Sequence, residues 1–186
     1  MPIPDYQTVM LPLLETIADG NVWTARDLNE HLAKRFNLTD EEINERLPSG
    51  QSRVFSNRVG WAKTYLKAAG LIDNPNRGRV SISAIGRKVL ADKPSEINTK
   101  FLQQFEGLRE FTRSKSASET TSTESDVQAV GSKSPLELLE ESYGIIHAAL
   151  KDELLSRLKS GSPAFFEHAV LQLLIAMGYG ILVMHN

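Results

Sequence analysis

Residues 52–83, SRVFSNRVGWAKTYLKAAGLIDNPNRGRVSIS, decide how the chain folds. Projected at about 100° per residue, Val54, Phe55, Val59, Trp61, Ala62, Tyr65, Leu66 and Ala69 fall on one broad arc. Such an arc predicts a helix over Ser52–Ala69 with one face in a core. Arg53, Ser56, Asn57, Gly60, Lys63, Thr64 and Lys67 occupy the opposite arc. Arg58 lies within the apolar arc, where its methylenes can pack while its guanidinium reaches the edge. Gly70 stops the helix. Leu71-Ile72 and Arg79–Ser83 then read as two short strands around the turn residues Asp73–Gly78.

Working back from this stretch, Val9–Ile17 has apolar residues at helical spacing and ends at Asp19-Gly20-Asn21. Thr24, with Asp27 three residues on, predicts the N-cap of a second helix through Phe36. Thr39 and Glu42 repeat the pattern for a short helix ending near Leu47-Pro48. Downstream of the strands, helical patterns cover Ala84–Ala91 and Glu96–Phe111. Three to four helices followed by a hairpin is the order of a winged helix-turn-helix, so a mainly α domain is expected over residues 1–111.

Residues 112–134, TRSKSASETTSTESDVQAVGSKS, hold eleven Ser or Thr and no aromatic, Leu or Ile. A segment of that composition cannot bury enough apolar surface to offset its ordering entropy, so it predicts a flexible linker. Beyond it, Ser134-Pro135-Leu136-Glu137 is a capping box with proline at the first helical position. It opens a helix to about Lys159. Gly161 breaks that helix and Ser162-Pro163 opens another, ending at Gly178, so residues 135–186 predict a helical hairpin.

Bulk composition removes several function classes. The chain has no cysteine, and its four histidines (His31, His147, His168, His185) are scattered. Neither a disulfide framework nor a structural metal site is therefore expected. No secretory signal opens the chain, no apolar run reaches the roughly 18 residues of a membrane span, and no phosphate-binding Gly-Lys-Ser/Thr motif occurs. A cytoplasmic location is the expectation, with no cofactor in this chain.

The net charge of −2 hides a segregation. Residues 51–93 carry nine Lys/Arg against two Asp/Glu, while residues 1–50 carry four against nine. Screening confines each block's field to roughly 8 Å, so the local sign matters more than the total. The positive block coincides with the long helix, whose polar face has no acid. An ordinary solvated helix face mixes signs. Arg can bond guanine bidentately, Asn can do so to adenine, and Lys, Ser and Thr suit phosphates. Arg77 and Arg79 flank Gly78 at the hairpin tip, within reach of a DNA backbone or minor groove. The expected duplex-DNA contacts are thus Arg53, Ser56, Asn57, Arg58, Gly60, Lys63, Thr64, Lys67, Arg77 and Arg79. Gly60, costing about 1 kcal/mol of helix propensity, fits either close approach of a groove edge or a tolerated surface glycine. Trp61 and Tyr65 read as core rather than base-stacking residues.

The stretches SNRVGWAKTYLKAAGLI and NRGRVSISAIGRKVL resemble the N-terminal domain of the Mrr family of restriction proteins, through Asn57, Arg58, Val59, Trp61, Ala62, Arg77, Gly78 and Gly86. The resemblance covers about residues 1–95, and Ala84 stands where threonine is common. Past the Ser/Thr-rich segment, SPAFFEHAVLQLLIAMGYG resembles the opening helix of the Mrr-type nuclease domain. The implied activity is restriction of methylated foreign DNA by a magnesium-dependent endonuclease of the α/β PD-(D/E)xK fold. The implied catalytic Asp and Glu-x-Lys would follow the Gly-Tyr-Gly, where only Ile-Leu-Val-Met-His-Asn stands. Glu167 matches an accessory metal-site glutamate, but it cannot make a site alone. The expectation is a DNA-binding module with a truncated nuclease domain that does not cut DNA. Whether this is a trimmed chain, a disrupted gene product or a natural short form is open. The alternative is a winged-helix transcriptional regulator dimerising through its C-terminal helices.

Overall fold

The computed structural model describes residues 2–116 and 133–179, with side chains to Arg113 in the first segment. It is mainly helical, and packing divides the chain after Glu140. The first unit opens with α1 (Tyr6–Thr16), whose N-cap Asp5 accepts from the amides of Gln7 and Thr8 at 2.8 and 2.9 Å. Then come β1 (Trp23–Thr24), α2 (Ala25–Arg35), α3 (Asp40–Asn44) and α4 (Val54–Ala68). β2 (Ile72–Asp73) and β3 (Arg79–Ile82) precede α5 (Ala84–Ala91), α6 (Thr99–Leu102) and α7 (Glu106–Ser116).

The caps show why these segments are helical. At α3 the reciprocal box is complete: Thr39 accepts from the Glu42 amide while the Glu42 carboxylate accepts from the Thr39 amide. At α2 Thr24 accepts from the Asp27 amide, and the Asp27 carboxylate takes the Thr24 hydroxyl (2.8 Å). Gly70 ends α4 at φ 75°, a left-handed conformation that costs a residue without Cβ little. Its amide bonds to Lys67 and the next to Leu66, satisfying the last-turn carbonyls.

Four features of the chain path differ from the sequence expectation. The sheet has three antiparallel strands, ordered β1–β3–β2, because Trp23 and Thr24 pair with Val80 and Arg79. α4 begins at Val54, so Arg53 is its N-cap rather than a residue of its first turn. The helix expected over Glu96–Phe111 is two, α6 and α7, separated after Leu102 so that both Leu102 and Leu108 reach the core. α7 also extends to Ser116, into the expected linker; residues 117–132 of that segment lie outside the described residues.

α1 and α4 form the centre of the domain. Val9, Leu13, Leu28, Leu32, Val59 and Leu66 are 0–1% exposed. Tyr6 stacks on Tyr65 with ring centroids 5.5 Å apart, and burial raises both phenol pKa values. Trp61 packs partly buried against this cluster, which agrees with its expected core role. Gly86 lets α5 approach the sheet: a Cβ there would lie 2.1 Å from the Leu71 carbonyl oxygen.

α8 (Pro135–Ser160) starts in the first unit and continues into the second, followed there by α9 (Pro163–Ala176). The expected caps are present, Glu137 N donating to Ser134 Oγ and Phe165 N to Ser162 Oγ. Neither helix has a fully buried residue. The expected short strand in residues 180–186 lies outside the described residues.

Candidate nucleic-acid interface

α4 is held on its apolar side by α1, α6 and α7, and the loop from α3 sets its entry. That loop closes on itself. Arg46 and Arg53 form an isolated antiparallel bridge, Leu47 N donates to Ser52 O and Val54 N donates to Glu45 O, both at 2.9 Å. Arg53 is thereby fixed at the helix N-terminus with an exposed side chain. It borders a groove of 680 Å³ between α2, α3 and α4, whose walls include Arg26, Lys34, Leu38, Ile43 and Phe55.

Ser56, Gly60, Lys63 and Thr64 continue from Arg53 along α4, all half-buried, and Lys67 is exposed in the last turn. Burial pulls the Lys63 ammonium below the ordinary lysine pKa. Thr64 Oγ1 donates to the Gly60 carbonyl (3.0 Å), so its hydroxyl is tied to the helix backbone. Nothing lies within 4 Å of where a Gly60 Cβ would be. This row carries no carboxylate. Arg77 and Arg79 are exposed beside Gly78, which turns the hairpin at φ 75°. The pairing of β3 with both neighbours holds that tip.

Asn57 and Arg58 are placed differently from the other expected contacts. Arg58 Nη1 donates to the Ile3 carbonyl (2.6 Å) and the Pro4 carbonyl (3.2 Å), anchoring the N-terminal arm. Its Nη2 and Nε meet the Glu137 carboxylate at 2.6 and 3.1 Å, with both side chains only 14% and 12% exposed. Asn57 Oδ1 accepts from the Ser134 hydroxyl (2.7 Å). Glu140 accepts from the Ser49 amide (2.9 Å) and hydroxyl (2.6 Å). Burial opposes ionisation of Glu137, but bonds from Arg58 and Ser134 outweigh it and hold its carboxyl below the ordinary glutamate range. Sequence reasoning missed Ser134 and Glu137 as neighbours of α4, and Glu140 as a neighbour of Ser49 in the loop before it. Its one signal, the Ser-Pro-Leu-Glu box, reported only a helix start.

Residues 6–92 match the Mrr N-terminal domain. Over 97% of its length the chain is 31% identical to the type IV methyl-directed restriction enzyme EcoKMrr of Escherichia coli (strain K12). It spans 61% of that relative's length. No solved structure matches the chain.

Glu167 stands exposed on α9. Among the described residues no three His, Asp or Glu side chains are grouped to hold a metal ion. No helix among the described residues is long and apolar enough to cross a membrane.

Proposed function

We propose that this chain is the target-reading part of a methyl-directed restriction enzyme, binding duplex DNA with α4 and the β2–β3 tip. The observation that carries the reading is the carboxylate-free row from Arg53 to Lys67, flanked by the exposed Arg77 and Arg79. Lys67 and the two hairpin arginines suit phosphates, and Arg53 at the helix N-terminus suits a base edge. The EcoKMrr likeness supplies the methylated target.

Fluorescence anisotropy of the full chain on a labelled duplex, at several salt concentrations, tests this. With four to six phosphate contacts the log–log slope is expected at roughly −4 to −5. Weak binding with a flat salt response would overturn it. A methylated duplex is expected to bind a few-fold tighter than its unmethylated twin, and equal affinities would leave DNA binding but remove the methyl reading.

The role inferred for the chain is to bind DNA, not to cut it. Hydrolysis by this nuclease class needs clustered carboxylates around magnesium. Methylated plasmid incubated with the full chain and magnesium is expected to stay intact, and cutting would sink this part of the reading. A second reading, a regulator dimerised through α8 and α9, draws on their exposed Ile146, Leu150 and Leu171. Its signature would be a symmetric footprint from a dimer.

A further inference from the structure

The first turns of α8 place three side chains on α4 and the loop that precedes it, all within the first unit. Ser134, fully buried, takes Asn57 Oδ1, the atom that would accept from an adenine amino group. The Glu137 carboxylate takes the Nε and Nη2 edge of Arg58, the two-pronged geometry by which guanidinium also holds phosphate. Glu140 takes the amide and hydroxyl of Ser49, two neutral donors of the kind that bind backbone oxygens of nucleic acid. One short segment thus occupies a base-reading amide, a cation and a backbone N–H. Each of its three contacts uses chemistry that a DNA strand could supply instead.

We propose that Ser134–Glu140 is an intramolecular competitor for nucleic acid, closed over the Asn57–Arg58 edge of α4 and displaced when duplex DNA engages that edge. This rests on the DNA-binding reading of α4. The exposed side chains of Arg53, Lys67, Arg77 and Arg79 are outside the clamp, so a first encounter does not require its opening. Arg58 keeps its bonds to the Ile3 and Pro4 carbonyls when Glu137 leaves, so its guanidinium remains oriented for the incoming strand. A clamp closed nine times in ten would weaken apparent affinity at the covered edge about tenfold.

The test uses the full chain and its Glu137→Gln/Glu140→Gln variant, with Glu106→Gln/Glu110→Gln as a control that removes the same charge from exposed positions on α7. Anisotropy on one duplex is expected to show the clamp variant binding about tenfold tighter and the control at most about twofold. Should the double variant melt early, Glu140→Gln alone, which leaves the Arg58 pair intact, is expected to tighten binding by a smaller factor. Hydrogen exchange gives a second readout: adding DNA to the native chain should speed exchange at residues 136–140 while slowing it along α4. Equal or weaker binding by the clamp variants, or slowed exchange at 136–140 with DNA, overturns the competitor and leaves DNA binding standing. If neither the native chain nor any variant binds duplex, the DNA reading of α4 fails and takes this inference with it.

Discussion

Tyr6, Met10, Leu14, Leu32, Phe55 and Leu66 in the first unit are each at most 2% exposed, whereas Ile145, Ile146, Leu171 and Leu173 in the second are more than half exposed. Both sets lie on regular helices, so helix formation alone does not separate them. Apart from α4, with 15 residues, the helices of the first unit are short: α2 and α1 have 11 residues each, and α3 has five. Isolated helices of that length are marginal, and they persist because each contributes one face to a shared core. α8 has 26 residues and can form largely on its own local terms. α9 is apolar around most of its circumference, the composition of a helix meant for an interior rather than a surface. The two regions show that helix formation and burial are separate achievements of a sequence.

The largest expected effect tests that separation directly. Phe55→Ala removes a ring from the closed core and is expected to cost about 3–5 kcal/mol. Leu171→Ala, at an exposed position, is expected to stay within about 0.5 kcal/mol. Both tryptophans, Trp23 and Trp61, lie in the first unit, so urea melts followed by their fluorescence read that unit alone, while circular dichroism reads all the helices. A Leu171→Ala cost comparable to that of Phe55→Ala would mean the apolar side of α9 is covered in solution.

Two glycines give the next contrast. Alanine at Gly86 would bring a methyl to 2.1 Å from the Leu71 carbonyl oxygen, and the backbone would have to move. A loss of about 1–3 kcal/mol is expected, as for other overpacked sites. Gly144 in α8 has nothing within 4 Å of its missing Cβ, so Gly144→Ala should raise helicity, by up to about 1 kcal/mol. Thermal melts and the far-ultraviolet signal check both, and a destabilising Gly144→Ala would show a close neighbour at that helix.

A charge comparison comes third. Lys67 and Lys159 are both exposed cations in the last turn of a helix. Lys67→Ala is expected to weaken all duplexes alike and to reduce the salt slope by about one unit, while Lys159→Ala leaves it unchanged. Equal effects from the two would reduce DNA binding to general attraction and remove α4 from its special place.

What the sequence made legible was what local chemistry decides. The Thr39–Glu42 and Ser134–Glu137 boxes, the Gly70 stop and the apolar arc of α4 are all present, because each joins residues within one or two turns. β1 escaped because two residues are too few for a strand pattern, and only their pairing with β3 makes Trp23–Thr24 a strand. The α6–α7 break escaped because Phe101, Phe105 and Leu108 keep near-helical spacing across it. Packing decides there, with Gly107 set so close to α4 that a Cβ would meet the Ala68 carbonyl at 2.4 Å. At the candidate interface, charge segregation placed the cations. It could not show that Ser134 and Glu137, already explained by capping each other, also bond to Asn57 and Arg58, 77 and 79 residues away in the chain.

Gly60 gives the smallest effect and separates fold from function most sharply. It lies mid-helix in α4, half-exposed, in the row between Arg53 and Lys67, with open space where its side chain would be. Nothing within the described protein therefore requires a glycine there. A surface glycine in a helix interior forfeits about 1 kcal/mol relative to alanine, so Gly60→Ala is expected to raise stability by up to that amount. If α4 enters a groove, the added methyl falls between helix and duplex, and affinity should drop even as the melting temperature rises. Melts and anisotropy on the single variant read both quantities. A stabilised protein with undiminished DNA affinity would mean that no duplex approaches Gly60 closely, and the contact surface would then have to shift towards Arg53 and the hairpin tip.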